Sequence, residues 1–368
     1  MPHASIPPRA AERLLLGPGP SPVDARIMRA MAAPVLSHLD PAMMEILDEI
    51  RSRLDATFRA AGGAFSFAVS GTGTSGMETA IANLAGPGTR AIALVNGYFG
   101  DRLAQMLARY GADVTRVESE WGRAIDPSRL ERALADGADL VTMVHAETST
   151  GVLNPVRELC AAAAAKEAMT IVDTVTSLGA HPVDVARWGA DAVYSCTQKG
   201  LGAPSGLAPV TFSQRVLGPK ADAAGSFYFD LKLLHDYWVG RKYHHTISAP
   251  LVYALQEALT AVEDEGLEAR WARHEGTHQA LVAELEHIGL ALLPPPDERL
   301  WSLNAVKVPH GVDEARVRKA LLTDHGIEIG AGLGPLAGKI WRVGLMGSGS
   351  TRENVTRLAS ALAPLVRR

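Results

Sequence analysis

The residues best placed to do chemistry begin with one lysine. In Ala190 to Pro204 a short β-prone run, Ala192 to Cys196, delivers Lys199 into a turn built from Gly200, Gly202 and Pro204. Glycines let the backbone come close to a flat ligand, and a lysine amine can form a Schiff base with a carbonyl. A solvated surface lysine is the ordinary alternative. Against it stands the company of five further stretches.

Ser70-Gly71-Thr72-Gly73-Thr74-Ser75-Gly76 lies between an apolar run and a helical pattern. Converging backbone N–H groups, hydroxyl donors and a helix N-terminus suit a phosphate. Gly71, Gly73 and Gly76 also spell G-x-G-x-x-G, the dinucleotide fingerprint, so a nicotinamide-dependent oxidoreductase is a second reading of the loop. That reading needs an acid at the end of the next strand. The next strand ends Val95-Asn96-Gly97, with no acid before Asp101, which favours a single phosphate.

Ile171-Val172-Asp173-Thr174 puts a carboxylate at the end of an apolar strand, one crossover before Lys199. A buried carboxylate needs a cation or strong donors. The protonated nitrogen of a pyridine ring is such a partner. An acid on that nitrogen and a lysine on the aldehyde are the protein side of pyridoxal phosphate chemistry. Phe99, in Asn96-Gly97-Tyr98-Phe99-Gly100, offers an aromatic face to cover the ring. His145-Ala146-Glu147-Thr148 ends another strand. A metal site there has only two candidate ligands, so Thr148 is read instead as a hydroxyl partner for the ring substituent. Far along the chain, Gly338-Lys339-Ile340-Trp341-Arg342-Val343 places Arg342 on the strand face opposite Trp341 and Val343, suited to bidentate capture of a carboxylate. A salt bridge within its own lobe is the alternative.

The elements that position these groups follow from hydrophobic periodicity. Residues 1–13 read as a loose arm, Leu14 to Leu16 as an apolar anchor, and Gly17 to Pro22 as a stiff irregular loop. Asp40-Pro41 caps an amphipathic helix over residues 41–60, with Met43, Leu47, Ile50, Leu54 and Phe58 on one stripe. Apolar runs at 65–69, 91–95, 114–117, 140–144, 170–175, 192–196 and 207–212 predict strands, with helices between most of them at 75–85, 100–110, 126–136 and 155–168. Such alternation implies an α/β fold with a mostly parallel sheet covered on both faces, its ligand beyond the strands' carboxyl ends. From Pro250 to Gly289 the pattern predicts one long spanning helix. A C-terminal lobe follows, with strands at 302–308, 327–329 and 340–345 and helices at 313–322 and 352–366. The division is an arm (1–22), a large cofactor-binding domain (23–250), and a linking helix with a small domain (251–368).

Composition limits the partners. With 47% hydrophobic and 21% charged residues and a net charge of −4, the chain has no basic field for nucleic acid or an anionic membrane. It has no apolar run long enough for a signal peptide or membrane span, and its last residues match no targeting signal. Two cysteines, Cys160 and Cys196, support neither a disulfide framework nor a thiolate metal site, which suits a reducing compartment and a cytoplasmic location.

Taken together, Thr-Gln-Lys199-Gly, Val-Asp173-Thr-Val-Thr-Ser-Leu-Gly, His-Ala-Glu-Thr148-Ser-Thr-Gly, Tyr243-His244-His245-Thr246 and Gly332-Leu333-Gly334-Pro335 through Arg342 resemble the class V pyridoxal phosphate aminotransferases. Within them the likeness is nearest to the alanine:glyoxylate and serine:glyoxylate enzymes, over Leu16 to Leu362. The resemblance implies fold type I with a seven-stranded sheet, and a homodimer whose active site lies at the subunit interface. It implies ping-pong transfer of an amino group from L-alanine or L-serine to glyoxylate. Lys199 would carry the cofactor and shuttle the proton, and Asp173 would hold the ring nitrogen protonated. Thr72, Gly73, Thr74 and Gln198 would hold the phosphate, with Tyr243 and Thr246 reaching it from the other subunit. Phe99 would stack where relatives often carry Trp, and Thr148 stands where they carry Ser. Arg342 would bind the substrate carboxylate, with Gly19 in the Pro18-Gly19-Pro20 loop closing over it. The ureidoglycine:glyoxylate branch also resembles Gly338 to Gly344, but it tends to carry amides where this chain has His38 and Tyr243. A cysteine desulfurase shares the fold and needs a cysteine in a flexible loop; Cys160 sits in a helical run and Cys196 in a strand.

Overall fold

The seven apolar runs pair into one sheet in a computed structural model that describes residues 13–217 and 225–366. They are β1 (Phe65–Gly71), β2 (Arg90–Val95), β3 (Asp113–Glu118), β4 (Leu140–Val144), β5 (Met169–Asp173), β6 (Ala192–Tyr194) and β7 (Gly206–Phe212). Their order is β1-β7-β6-β5-β4-β2-β3; β7 runs antiparallel to both neighbours and every other pair is parallel. The central strands are buried along nearly their whole length, as a sheet covered by helices on both faces requires.

Helices α1 (Pro41–Phe58), α2 (Gly73–Leu84), α3 (Tyr98–Arg109), α4 (Pro127–Ala133) and α5 (Val156–Ala164) supply that cover. The Asp40 carboxylate caps α1 by accepting from the Ala42 N–H at 2.9 Å, and Met43, Leu47, Ile50, Leu54 and Phe58 form its buried stripe.

The stretch from Pro250 to Gly289, expected as one helix, is two: α6 (Ala249–Glu265) and α7 (Leu267–His287). Gly266 breaks it at φ +78°, a conformation that favours glycine, while its N–H still closes α6 on the Val262 carbonyl. The apolar period runs on across the break, which hides it in the sequence. Helix α6 packs within the apolar core around the large sheet. The far end of α7, at Leu281 and Leu285, enters a second core with α8 (Glu314–His325), α9 (Arg352–Val366) and a three-stranded antiparallel sheet. That sheet orders β8 (Leu303–Lys307), β10 (Ile340–Gly344) and β9 (Gly330–Ala331), with β10 central. The expected strand at 327–329 pairs not with this sheet but in parallel with Leu14–Leu15, and Leu16 is buried in the lobe's core. The arm expected over residues 1–13 lies, except for Arg13, outside the described residues. Among the described residues no helix is long and apolar enough to cross a membrane.

Where α7 and the lobe meet the large domain, Arg270 donates through Nε to the Gly179 carbonyl and through Nη2 to the Gly200 carbonyl, beside Lys199. Its remaining amine pairs with Glu265 at 2.7 Å. The His181 ring lies 3.9 Å from that of Trp301, and both its nitrogens are buried without a hydrogen-bond partner among the described residues. Burial pushes His145 and His274 down to about 3, and it holds His181 well below the ordinary histidine range. The folded chain thus keeps these rings neutral at a pH where the unfolded chain protonates them. What these rings contribute to stability is complete above about pH 6.5 and is lost on acidification, by about 1.4 kcal/mol per pH unit for each ring. His181→Phe, which keeps an aromatic face against Trp301, should flatten this dependence in urea unfolding between pH 7 and pH 5. An unaltered slope would mean that His181 takes no part in it.

Candidate active site

Strand β5 ends at Asp173, β6 runs on through Ser195 to Lys199, and β1 runs into the glycine loop before α2. All three ends face one cavity of about 130 Å³. Thr72, Gly73, Thr74, Phe99, Asp173, Gln198 and Lys199 line it. Cys196 and four residues that the sequence reading did not single out, Met77, Arg102, Val175 and Tyr194, complete the wall.

Asp173 is buried, and its two carboxylate oxygens are held from opposite sides. Oδ1 accepts from the Val175 N–H at 2.8 Å and Oδ2 from the Tyr194 hydroxyl at 2.7 Å. Burial pushes the Asp173 carboxyl up to about 7, against the pull of these two donors and of Lys199; the Glu147 carboxylate adds to the rise. A carboxyl so poised fits a cationic ring nitrogen. Tyr194 comes into reach because Asp173 and Tyr194 are register partners in the parallel β5–β6 pair. In sequence it reads as one more apolar residue of a core strand.

The glycine loop works by close approach. Gly71 has φ +141°, and a Cβ there would meet Ser75 Oγ at 2.4 Å. A Cβ on Gly73 would meet Val175 Cγ2 at 3.0 Å, and one on Gly76 would meet Tyr194 Cβ at 3.1 Å, so α2 packs hard on the sheet. Thr72 is extended at the α2 N-cap and its side chain makes no capping bond; the Ser75 N–H turns back to the Thr72 carbonyl, which leaves the Gly73 and Thr74 N–H groups for an anion. Gln198 Oε1 is buried there with no partner among the described residues; the amide turned over presents Nε2 to a phosphate. The dinucleotide reading fails on topology. It requires the next parallel strand beside the glycine-loop strand, whereas among the described residues β1 is an edge strand whose only neighbour is the antiparallel β7, and β2 lies four strands beyond β7.

Lys199 Nζ donates to the Pro18 carbonyl. Burial lowers its pKa, and the Arg342 charge acts in the same direction. The segment after Leu16 joins the two bodies at this point. The Gly344 N–H donates to the Leu16 carbonyl, the Ser21 N–H to the Gln198 carbonyl, and Ser21 Oγ to the Lys199 carbonyl. Gly19 lies against the lysine at φ +115°, where a Cβ would meet Lys199 Nζ at 2.2 Å. Arg342 is 7% exposed, donates through Nε to the Ala331 carbonyl at 2.6 Å, and forms no ion pair among the described residues. Burial brings its pKa down to about 10. The salt-bridge alternative therefore falls away.

Other expected members lie outside the cavity wall. Thr148 is buried with Oγ1 2.5 Å from Thr176 Oγ1. His145 and Glu147 are engaged elsewhere: His145 Nδ1 is 2.9 Å from Ser177 Oγ, and Glu147 accepts the Phe99 and Gly100 N–H groups at the start of α3. Among the described residues no group of His, Cys, Asp and Glu could hold a metal. Tyr243 is 64% exposed and Thr246 is exposed, both away from the cavity of their own chain. Cys160 and Cys196 are buried, and burial pushes both thiols up to about 12, which removes them as nucleophiles.

A sequence model described as Aminotransferase class-V matches residues 25–358. The crystal structure of an alanine–glyoxylate aminotransferase from Nostoc sp. superposes with a TM-score of 0.96 at 43% identity, covering 98% of this chain and 97% of that one. An (S)-ureidoglycine–glyoxylate transaminase of Bacillus subtilis is 36% identical over 97% of this chain and 91% of its own. An alanine–glyoxylate aminotransferase of Drosophila melanogaster is also 36% identical, over 95% of this chain and 91% of its own.

Proposed function

This chain belongs to the class V aminotransferases, and we propose that it moves the amino group of L-alanine or L-serine to glyoxylate, giving glycine and a 2-oxo acid in two half-reactions. As a member of that family it is a pyridoxal phosphate-dependent transaminase. The observation that carries the substrate reading is Arg342: a buried guanidinium with no counter-ion among the described residues, close enough to Lys199, which lines the cavity, to lower its pKa, and so suited to a small carboxylate. Glyoxylate appears in the names of all three relatives, which supports it as the acceptor.

Bound pyridoxal phosphate supplies an electron-withdrawing ring that takes up the electron pair left when an amino acid loses its α-proton. Lys199 carries the cofactor and then moves the proton at the substrate α-carbon through Nζ. Asp173 holds the ring nitrogen protonated, and Tyr194 holds Asp173. Thr72, Gly73, Thr74 and Gln198 would hold the phosphate, Phe99 would cover the ring, and Thr148 would serve as a hydroxyl partner for the ring substituent. Gly19 leaves room for the lysine under the loop that closes over the substrate.

Tyr194→Phe removes one donor to an ionised carboxylate, a change of about 1.5–3 kcal/mol or one to two pH units. Loss of that donor raises the Asp173 pKa, so the acid limb of cofactor binding against pH should move upward by about that amount. A limb that stays in place would remove Tyr194 from this role.

We also propose a homodimer. Exposed Met28, Val35, Leu39, Phe227, Val239 and Tyr243 gather on two segments joined by the contact of His38 with Tyr243, whose rings are 5.2 Å apart. Such a face suits burial against a second copy, which would carry Tyr243 and Thr246 to the partner's phosphate. A cytoplasmic location is part of the same proposal, supported by two cysteines that form no disulfide.

The Bacillus relative keeps ureidoglycine as a second donor reading. Glycine formation from glyoxylate with L-alanine, L-serine or ureidoglycine, compared as kcat/KM, tests the proposal. Preference for alanine or serine is expected; preference for ureidoglycine would transfer the enzyme to that branch.

A further inference from the structure

The groups assigned above to the phosphate, Thr72, Gly73, Thr74 and Gln198, are all uncharged, whereas a phosphate monoester carries about −1.5 to −2 at neutral pH. The α2 N-terminus offers only partial positive charge. Arg102 lines the same cavity, with Nη1 3.3 Å from Thr74 Oγ1. Its guanidinium stands 5.2 Å over the Phe99 ring and 5.1 Å over that of Tyr98. The spacing of these rings, three and four residues before it on α3, creates this support. The first turn of α3 is itself fixed. Glu147 accepts the Phe99 and Gly100 N–H groups, and Ser149 Oγ accepts that of Tyr98 at 2.9 Å. Arg102 forms no ion pair among the described residues. Its neighbour Asp101 is engaged by Arg116 at 2.8 Å and by Gln105.

We infer that Arg102 is the charged anchor of the cofactor phosphate, a cation held by two aromatic rings beside the glycine loop. The inference rests on the family's use of pyridoxal phosphate and is independent of the amino donor. Phe99 then serves twice, covering the cofactor ring and supporting the guanidinium. Thr74 links Arg102 to the loop.

The test compares two ligands that differ only in the phosphate. The apo-enzyme, as wild type, Arg102→Leu and Arg102→Lys, is titrated with pyridoxal phosphate and with pyridoxal, following the visible absorbance of the bound aldehyde. Arg102→Leu should raise Kd for pyridoxal phosphate by about 10- to 100-fold, the range of a lost charge-assisted hydrogen bond, and leave Kd for pyridoxal unchanged. Arg102→Lys should recover most of the loss and remains informative if the leucine variant does not fold. The wild type should also lose affinity for pyridoxal phosphate as salt is added, and the leucine variant much less. Equal losses for both ligands would reduce Arg102 to a packing role. Undiminished affinity of Arg102→Leu for pyridoxal phosphate would overturn the inference outright.

Discussion

Lys199→Ala is expected to abolish turnover, by about four orders of magnitude or more, because one amine serves both as covalent carrier and as acid–base. No neighbour can take over both tasks. Asp173 is tied to Tyr194 and Val175, and the guanidinium of Arg342 stays protonated even with its pKa brought down to about 10. The native position of Nζ supports the second task. Burial lowers the lysine pKa, so the amine gives up its proton more readily than a solvated lysine does. The fold should survive. Among the described residues Lys199 Nζ donates only to the Pro18 carbonyl, while the backbone of the turn is held independently by Arg270 on Gly200 and by Ser21 on Lys199. The checks are single-turnover kinetics with L-alanine, the absorbance of the cofactor added back, and apo-protein melting. Substantial turnover in a well-folded variant would sink the assignment of Lys199.

Arg342→Lys should cost about 2–5 kcal/mol in kcat/KM, roughly 30- to 5,000-fold. The charge is kept, so the loss measures geometry. Strand alternation on β10 sends Trp341 and Val343 into the lobe's core and leaves Arg342 on the opposite face, toward Lys199. Its Nε is spent on the Ala331 carbonyl, which orients the two remaining amines as a fork for a carboxylate. A lysine cannot hold Ala331 and present a fork at once. The loss should be large for L-alanine and slight for an amine donor lacking a carboxylate. An unchanged value for alanine would take Arg342 out of the site.

The candidate site was legible in sequence wherever chemistry and local pattern coincide. A glycine-rich turn after an apolar run, an acid at the end of another and a lysine beyond a third are each contained in a few residues. Arg102 and Tyr194 were less visible. Tyr194 matters through its pairing with Asp173 across two strands, and Arg102 through a contact with Thr74 on another helix. The spacing of Arg102 from Tyr98 and Phe99 was the only signal available. It is the spacing of any helix face.

By itself, then, the sequence determined the seven strands, the helices between them and the glycine loop, because period, caps and backbone preference act over neighbouring residues. It also determined the residue types from which a pyridoxal phosphate site is built. Only the tertiary structure decided that β1 is an edge strand, which withdraws the dinucleotide reading. Only there does Leu16 enter the lobe's core and hang the Pro18–Gly19 loop between Arg342 and Lys199. Strand order, a helix broken at Gly266 and the convergence of distant charges all depend on burial between segments remote in the chain, and no local period carries that information.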